Sequence, residues 1–484
     1  LIKFHLTPNL MKRITLYILF FHASLTLSFS QNSDNSAHGS NGNVSRIYNV
    51  RPLKNSSDLE RLTFPLNIYP TYYEYAKQMQ NFESDYPSLV DMFSIGKTVM
   101  GDKEILFVRI SDNISRDEQE PKLILTSSMH GDEITGFPMM LTLIDYILKV
   151  YHNDKHPDYK RIKHLVDNTE IWINPNANPD GTYYGSRNNT SVANARRGNA
   201  NNVDLNRNYP DNKHGAHPDD NTYQIETLHF IELAEKNQFV LSANLHGGEE
   251  LINYPFDNTY ADEYTHPDSN WFEQISTEYV NNAQSDASTE KEFYRNFKKK
   301  LSYMTSDEDF NVFPSIGVTH GAEWYIISGS RQDYMNYYHQ CREITIELSN
   351  EKIVPESALI DYWLYNKNAI LDFLTQGTYG FTGVVRDMNN EQPIKATITV
   401  LGHDKYGSNI TSNLPHGDFY RPIAAGTYDL LFEAPNYKSI ILKNESINNF
   451  ERKELPTIYM SPIAPTLAET LSLESIVIPK ITLN

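Results

Sequence analysis

The sequence predicts an α/β fold, a mixed central sheet flanked by helices, followed by a small β-sandwich. Three observations carry this expectation. Short, mostly apolar runs at residues 122–126, 170–173, 239–245 and 342–348 read as buried strands, and each leads into polar or charged residues. Residues 137–151 and 358–376 place apolar side chains at helical spacing, the second stretch stopping at Gly377. Beyond 377 the pattern changes to short alternating runs at 381–385, 396–400, 428–432 and 438–442, separated by turns.

From the start of the chain, ten residues precede Met11, which reads as the true first residue. Met11-Lys-Arg, an apolar stretch from Ile14 to Phe29 and the polar Gln31-Asn-Ser-Asp have the layout of a secretory signal peptide, too short and wrongly flanked for an anchor. Residues 31–65 read as a linker, 66–376 as the α/β domain, 377–462 as the sandwich and 463–484 as a tail of no legible role. No later run approaches the ~20 apolar residues of a membrane helix. These features predict a secreted or periplasmic protein. The single cysteine, Cys341, rules out an internal disulfide and reads as a buried apolar residue; an exported chain without disulfides leans towards a bacterial source.

The net charge of −19 argues against nucleic acid, whose phosphates require clustered Lys and Arg. Such a surface favours basic peptides at low salt. The mixed-charge run 290–300 reads as a solvated helix face or loop.

The first strand ends at Met129-His-Gly-Asp-Glu133 and the third at His246, in Asn244-Leu-His-Gly-Gly248. Two histidines and a carboxylate form a donor set suited to zinc, and three protein ligands leave one position open, as in catalytic rather than structural sites. His-x-x-Glu alone is a weak signal. Placement strengthens it, because ligands of open α/β sheets bind at the carboxyl ends of strands. The strand at 342–348 alternates, with Ile344, Ile346 and Leu348 on one face and Thr345 and Glu347 on the other. Between these strands, residues 195–211 hold three arginines and five asparagines, too many donors for a helix or buried strand. They read as a loop presenting guanidinium forks to a carboxylate, a bidentate match that Lys cannot copy.

Taken in order, these segments resemble a zinc metallocarboxypeptidase of the regulatory branch, the carboxypeptidase D, E, N and M group and its bacterial relatives. Asn174-Pro-Asn-Ala-Asn-Pro-Asp-Gly181, Asn253-Tyr-Pro-Phe-Asp257, Gly321-Ala-Glu-Trp-Tyr325 and Glu343-Ile-Thr-Ile-Glu347 extend the likeness over residues 66–460. The resemblance implies a zinc ion on His130, Glu133 and His246, with Asp204 orienting His130. It implies Glu347 as general base and then acid for the metal's water, Asn206 and Arg207 as the grip on the substrate's terminal carboxylate, Arg197 on the scissile carbonyl, and Tyr325 closing over the terminal residue. It further implies that Asp257, eleven residues after His246, and Gln332, seven after Tyr325, receive a C-terminal Arg or Lys. The partners implied are therefore peptide or protein C-termini, basic ones preferred.

The chain departs from the branch in three places: Arg331 precedes Gln332 where relatives commonly carry Met, His320 takes a common Asn position, and Glu249-Glu250 follows the Gly pair. Arg331 pointing inward would repel a basic substrate; on the rim it would not. His214, His217, His320 and His339 read as surface or loop residues without a role. The sandwich resembles the transthyretin-like domain of this branch, in Gly-Val-Val-Arg-Asp387 and Ala-Pro-Asn-Tyr437, and holds no catalytic set. Two other readings remain beside the Arg/Lys carboxypeptidase. One is a peptidase trimming cell-wall peptides on the same scaffold. The other is an inactive peptide-binding member, which would typically have lost a metal ligand or the base. The sequence leaves the oligomeric state open.

Overall fold

The computed structural model describes residues 61–289, 303–305 and 317–463. The expected signal peptide, the linker as far as residue 60, the mixed-charge run 290–300 and the tail from 464 lie outside the described residues.

Eight strands build one mixed sheet: β1 (Val90–Lys97), β2 (Glu104–Ile110), β3 (Lys122–Ser127), β4 (Glu170–Asn174), β5 (Phe239–His246), β6 (Glu249–Tyr254), β7 (Val318–His320) and β8 (Arg342–Ser349). Their order is β1-β2-β4-β3-β5-β8-β6-β7. The central run β4-β3-β5-β8 is parallel, with antiparallel pairs on both sides. Among the described residues seven longer helices accompany it: α1 (Tyr72–Asp85), α2 (Gly136–Tyr151), α3 (Tyr159–Val166), α4 (Ile225–Lys236), α5 (Ser269–Thr289), α6 (Arg331–His339) and α7 (Leu359–Gln376). Helix α1 starts at a capping box in which the Thr71 hydroxyl accepts from Glu74 N–H and the Glu74 carboxylate accepts from Thr71 N–H.

The two-residue period of the central strands decides what each face of the sheet carries. Leu123 and Leu125 of β3, Leu241, Ala243 and Leu245 of β5, and Ile344, Ile346 and Leu348 of β8 share one large apolar core with α2, α5 and α7. The intervening residues point the other way. They are Thr126, then Ser242, Asn244 and His246, then Glu343, Thr345 and Glu347, all buried. The parallel register sets Ser242 beside Glu343, Asn244 between Thr126 and Thr345, and His246 beside Glu347. A second core, including Ile124, Phe230, Met335 and Cys341, covers the lower part of that polar face under α4 and α6.

The remaining strands form two small sheets. One has the order β11 (Ile410–Thr411), β10 (Thr397–Val400), β13 (Gly426–Glu433), β14 (Ile440–Ile447); in the other, β9 (Gly380–Asp387) pairs with β12 (Asp418–Arg421), β15 (Arg452–Glu454) and β16 (Ile458–Met460). They enclose a core of their own, including Phe381, Val385, Ile398, Phe419, Leu430 and Phe432. A buried ionic cluster joins them to the large sheet. Asp268, just ahead of α5, accepts from Arg342 Nη2 at 2.7 Å, from Arg421 Nη1 at 2.8 Å and from His403 Nε2 at 2.8 Å, while Arg421 also bonds Asp404 at 2.6 Å. Burial alone would raise the Asp268 carboxyl, but Arg421 and Arg342 hold it well below the usual carboxylate range. Among the described residues no helix is long and apolar enough to cross a membrane.

Candidate active site

The carboxyl ends of β3, β5 and β8 open into a cavity of about 180 Å³ lined in part by His130, Glu133, Arg197, Asn206, His246, Asp257, Tyr325 and Glu347. Eight of the eleven residues singled out from sequence therefore share one cavity. Asp204, Arg207 and Gln332 do not line it and instead touch residues that do.

His130 Nδ1 lies 2.8 Å from Glu133 Oε2, His246 Nδ1 lies 2.9 Å from the same oxygen, and the two Nδ1 atoms are 3.1 Å apart. His130 Nε2 sits 3.0 Å from Asp204 Oδ1, which places the ring proton on Nε2 and leaves Nδ1 as a lone pair. Glu133 Oε1 is already engaged by Arg197 Nη1 at 3.1 Å and Lys352 Nζ at 3.1 Å, so Oε2 is the oxygen turned towards the histidines. With Nδ1 of both histidines unprotonated, as metal ligation requires, three lone pairs about 3 Å apart repel one another unless a cation lies among them. Ligands ~2.0–2.1 Å from a tetrahedral ion stand roughly 3.3 Å from one another, so the set fits zinc.

Glu347, side by side with His246 across β5 and β8, is buried, and its Oε2 has no hydrogen-bond partner among the described residues. Burial, reinforced by the charge of Glu133, pushes its carboxyl well above the ordinary range; a bound divalent cation opposes that shift. Arg197 is fixed by Asp204 Oδ2 at 2.8 Å and remains about a third exposed at the cavity wall. Arg196, by contrast, stacks over Tyr184 at 3.8 Å and bonds the Asn199 and Ala200 carbonyls, holding the loop rather than facing the cavity. Asn206 is held by its Oδ1 accepting from Arg331 N–H at 2.9 Å, and Arg207 Nη1 bonds the Asn206 carbonyl at 2.9 Å. Tyr325 stands at the rim with 41 % of its surface exposed.

Asp257 lies deeper, 3 % exposed, with Gln332 Nε2 donating to its Oδ1 at 2.9 Å. The Asp333 carboxylate accepts from the backbone N–H of Asp257 at 2.8 Å and of Asn258 at 3.0 Å, which fixes the loop. A Cβ on Gly321 would come within 2.1 Å of Asp257 Oδ1, so only glycine admits the carboxylate in this position. Burial raises the Asp257 carboxyl to about 6. Gln332 Oε1 and Asn253 Oδ1 are buried acceptors with no partner among the described residues, so this end of the site holds more acceptors than donors there.

Two expectations need correction. Arg331 neither points into the pocket nor lies on its rim: it is 1 % exposed beneath the site, with Nη2 2.8 Å from Glu343 Oε2. His320 is not a surface residue; β7 pairs it against β6, and burial keeps the ring neutral so that Nε2 accepts from Phe256 N–H at 3.1 Å. Glu249 and Glu250 open β6. Cys341 is buried as expected. Sequence reasoning missed Lys352, Asn253 and Thr345 of the lining, and Asn244 behind His246. The period of β8 had already set Thr345 on the face of Glu347, and that of β5 could have found Asn244 in the same way; nothing in the pattern pointed to Lys352.

Residues 75–369 match the family model for zinc carboxypeptidases. The chain is 31% identical over 437 residues to the human carboxypeptidase N catalytic chain, covering 84% of this chain and 87% of that one. It is 33% identical over 380 residues to human carboxypeptidase D, covering 76% of this chain but only a quarter (25%) of that longer protein. Among solved structures, thrombin activatable fibrinolysis inhibitor superposes with a TM-score of 0.50 at 15% identity, covering 64% of this chain and 74% of that one, a likeness of fold.

Proposed function

Because this chain belongs to the zinc carboxypeptidase family, we propose that it removes single residues from the C-termini of peptides, Arg and Lys in preference, and does so as an exported enzyme whose residues 66–376 carry the reaction. The observation that supports this most is a buried carboxylate in no ion pair among the described residues, Asp257, in the same cavity as the convergent His130, Glu133 and His246 donors. The signal-peptide layout of residues 11–30 supports export.

A zinc ion held by these three residues supplies a Lewis acid for the scissile carbonyl and lowers the pKa of water towards ~7. The chain's own residues do the rest. The terminal carboxylate of the peptide meets Asn206 and Arg207, a side-chain amide and a guanidinium suited to its two oxygens. That grip requires a free chain end, which makes the reaction exopeptidic. The terminal side chain extends towards Asp257, where an ammonium or guanidinium supplies the positive charge the carboxylate lacks and donates to Gln332 Oε1. An apolar side chain leaves those acceptors unmet.

Arg197, fixed by Asp204, faces the carbonyl oxygen and stabilises the negative charge developing there, a contribution worth ~10²–10³ in rate for one such donor. Glu347 takes a proton from the attacking water on one oxygen and delivers it to the departing amine. Tyr325 covers the bound residue from the rim and excludes solvent. The β9–β16 unit, transthyretin-like by resemblance, acts through support of the large sheet and not through the chemistry.

The test is a matched set of blocked dipeptides ending in Arg, Lys, Phe or γ-linked diaminopimelate, assayed with and without a zinc chelator. Chelator-sensitive release of Arg and Lys well ahead of Phe is expected. Preferential release of Phe would overturn the pocket assignment, release of diaminopimelate alone would favour cell-wall trimming, and no release from a zinc-loaded protein would leave a peptide-binding module.

A further inference from the structure

We propose that Arg331 is a positioning residue that clamps the three metal- and base-bearing strands together and sets His246 through a hydrogen-bonded relay; this rests on the metal-centre reading above. Arg331 opens α6 and passes its side chain under the polar face of the sheet. There Nε and Nη2 bond Glu343 Oε2 of β8 at 3.2 and 2.8 Å, Nη2 also bonds Ser242 Oγ of β5 at 3.2 Å, and Nη1 bonds Thr126 Oγ1 of β3. Ser242 Oγ donates to Glu343 Oε2 at 2.5 Å, and the guanidinium lies 5.5 Å from the Phe230 ring. One planar fork therefore reaches the strand before His130, the strand ending at His246 and the strand carrying Glu347. Lys could not make these bonds together, because it lacks the divergent N–H groups.

Thr126 extends the clamp towards the metal. Its Oγ1 lies 2.9 Å from one end of the Asn244 amide, and the other end lies 2.7 Å from His246 Nε2. Which end is oxygen follows the tautomer of His246: with Nδ1 committed to a cation the proton is on Nε2, and Asn244 turns its oxygen to it. Thr126 then accepts from both Arg331 and Asn244, which its two lone pairs allow. The same helix start holds Asn206 through Arg331 N–H and Asp257 through Gln332. A side chain that crowds no ligand is thus the point where the metal-binding and substrate-binding halves of the site are fastened to each other.

The test uses the full chain with Thr126→Val, which breaks the relay without touching a charge, and with Arg331→Met combined with Glu343→Gln, which removes both charges and leaves no lone buried ion. Zinc affinity by competition with a chromophoric chelator, the visible absorption of the cobalt-substituted protein and the melting temperature are compared with the parent. Residues that orient metal ligands typically affect affinity ten- to a hundredfold, so Thr126→Val is expected to bind zinc about tenfold more weakly, with a shifted cobalt spectrum and a lowered melting temperature, since Arg331 and Asn244 each lose a buried acceptor. A Thr126→Val protein with parental zinc affinity and cobalt spectrum would overturn the relay, whether or not the double variant folds. Parental zinc binding and spectrum in a folded double variant would overturn the clamp. A parent protein that binds no zinc would instead overturn the function proposed above, and this proposal with it.

Discussion

Replacing Asp257 by Ala isolates substrate choice from catalysis. The carboxyl rises from its ordinary 3.8 to about 6 because burial removes water, a loss that the charge of Arg207 offsets only in part. At 1.36 kcal/mol per pH unit, that rise corresponds to about 3 kcal/mol of unmet stabilisation of the ionised form. A substrate guanidinium or ammonium brought against Asp257 recovers an amount of that order, which is also the range of a desolvated charge-assisted pair. Asp257→Ala should therefore lower kcat/KM for a C-terminal Arg peptide by roughly two decades. The value for the matching Phe peptide should hold or rise, since an apolar side chain no longer meets a buried carboxylate. The assay is kcat/KM on the matched pair near pH 7.5, with Asp257→Asn as the neutral isostere expected to behave like Ala. A variant that keeps the parent's Arg-over-Phe ratio would refute the assignment of Asp257 to the specificity pocket.

The same carboxyl gives a pH signature. Asp257 is ionised above about 6 and neutral below it, so the Arg-to-Phe ratio of kcat/KM should fall about tenfold per unit as pH drops below that value; taking the ratio cancels the titration of groups both substrates share. Glu347→Gln should reduce kcat by ~10²–10⁴ while zinc content, read by elemental analysis, stays at the parent level because none of the three ligands is altered. Asp268→Asn leaves Arg342 and Arg421 buried with only Asp404 opposite, and loss of one partner from a buried ionic group costs about 3–5 kcal/mol. A denaturant midpoint equal to the parent's would show that the cluster does not hold the β9–β16 unit to the large sheet. Since Asp268 is held well below its unfolded value near ~3.9, its contribution is complete above that pH and is lost as pH falls through the lower folded value.

Much of the central sheet was legible because its strands are short apolar runs ending on functional residues. β3, β4, β5 and β8 begin at the expected residues and end one residue later than expected. Strands β1, β2, β6 and β7 went unseen; in β1, the half-exposed run Val90–Lys97 mixes apolar, charged and glycine residues without clean alternation. In the sandwich, β9, β10 and β13 lie within two residues of the expected bounds, but the last run is shifted, as β14 spans Ile440–Ile447. The convergence of His130, Glu133 and His246 was legible from strand-end placement, whereas Glu347 was singled out through the family resemblance. Arg331 was not, because its position under the sheet depends on a partner, Glu343, twelve residues on, and on two hydroxyls from other strands. His320 was missed for a related reason: its partner is a backbone N–H brought in by strand pairing, which no local pattern announces.

The most direct measurement is mass spectrometry of a long peptide ending in Arg, incubated with the purified protein, with the protein after zinc chelation, and with the chelated protein after zinc is restored. Loss of a single C-terminal Arg is expected, abolished by chelation and recovered with zinc, with no internal cleavage. Internal cleavage, or C-terminal trimming that persists in the fully zinc-free protein, would contradict that expectation.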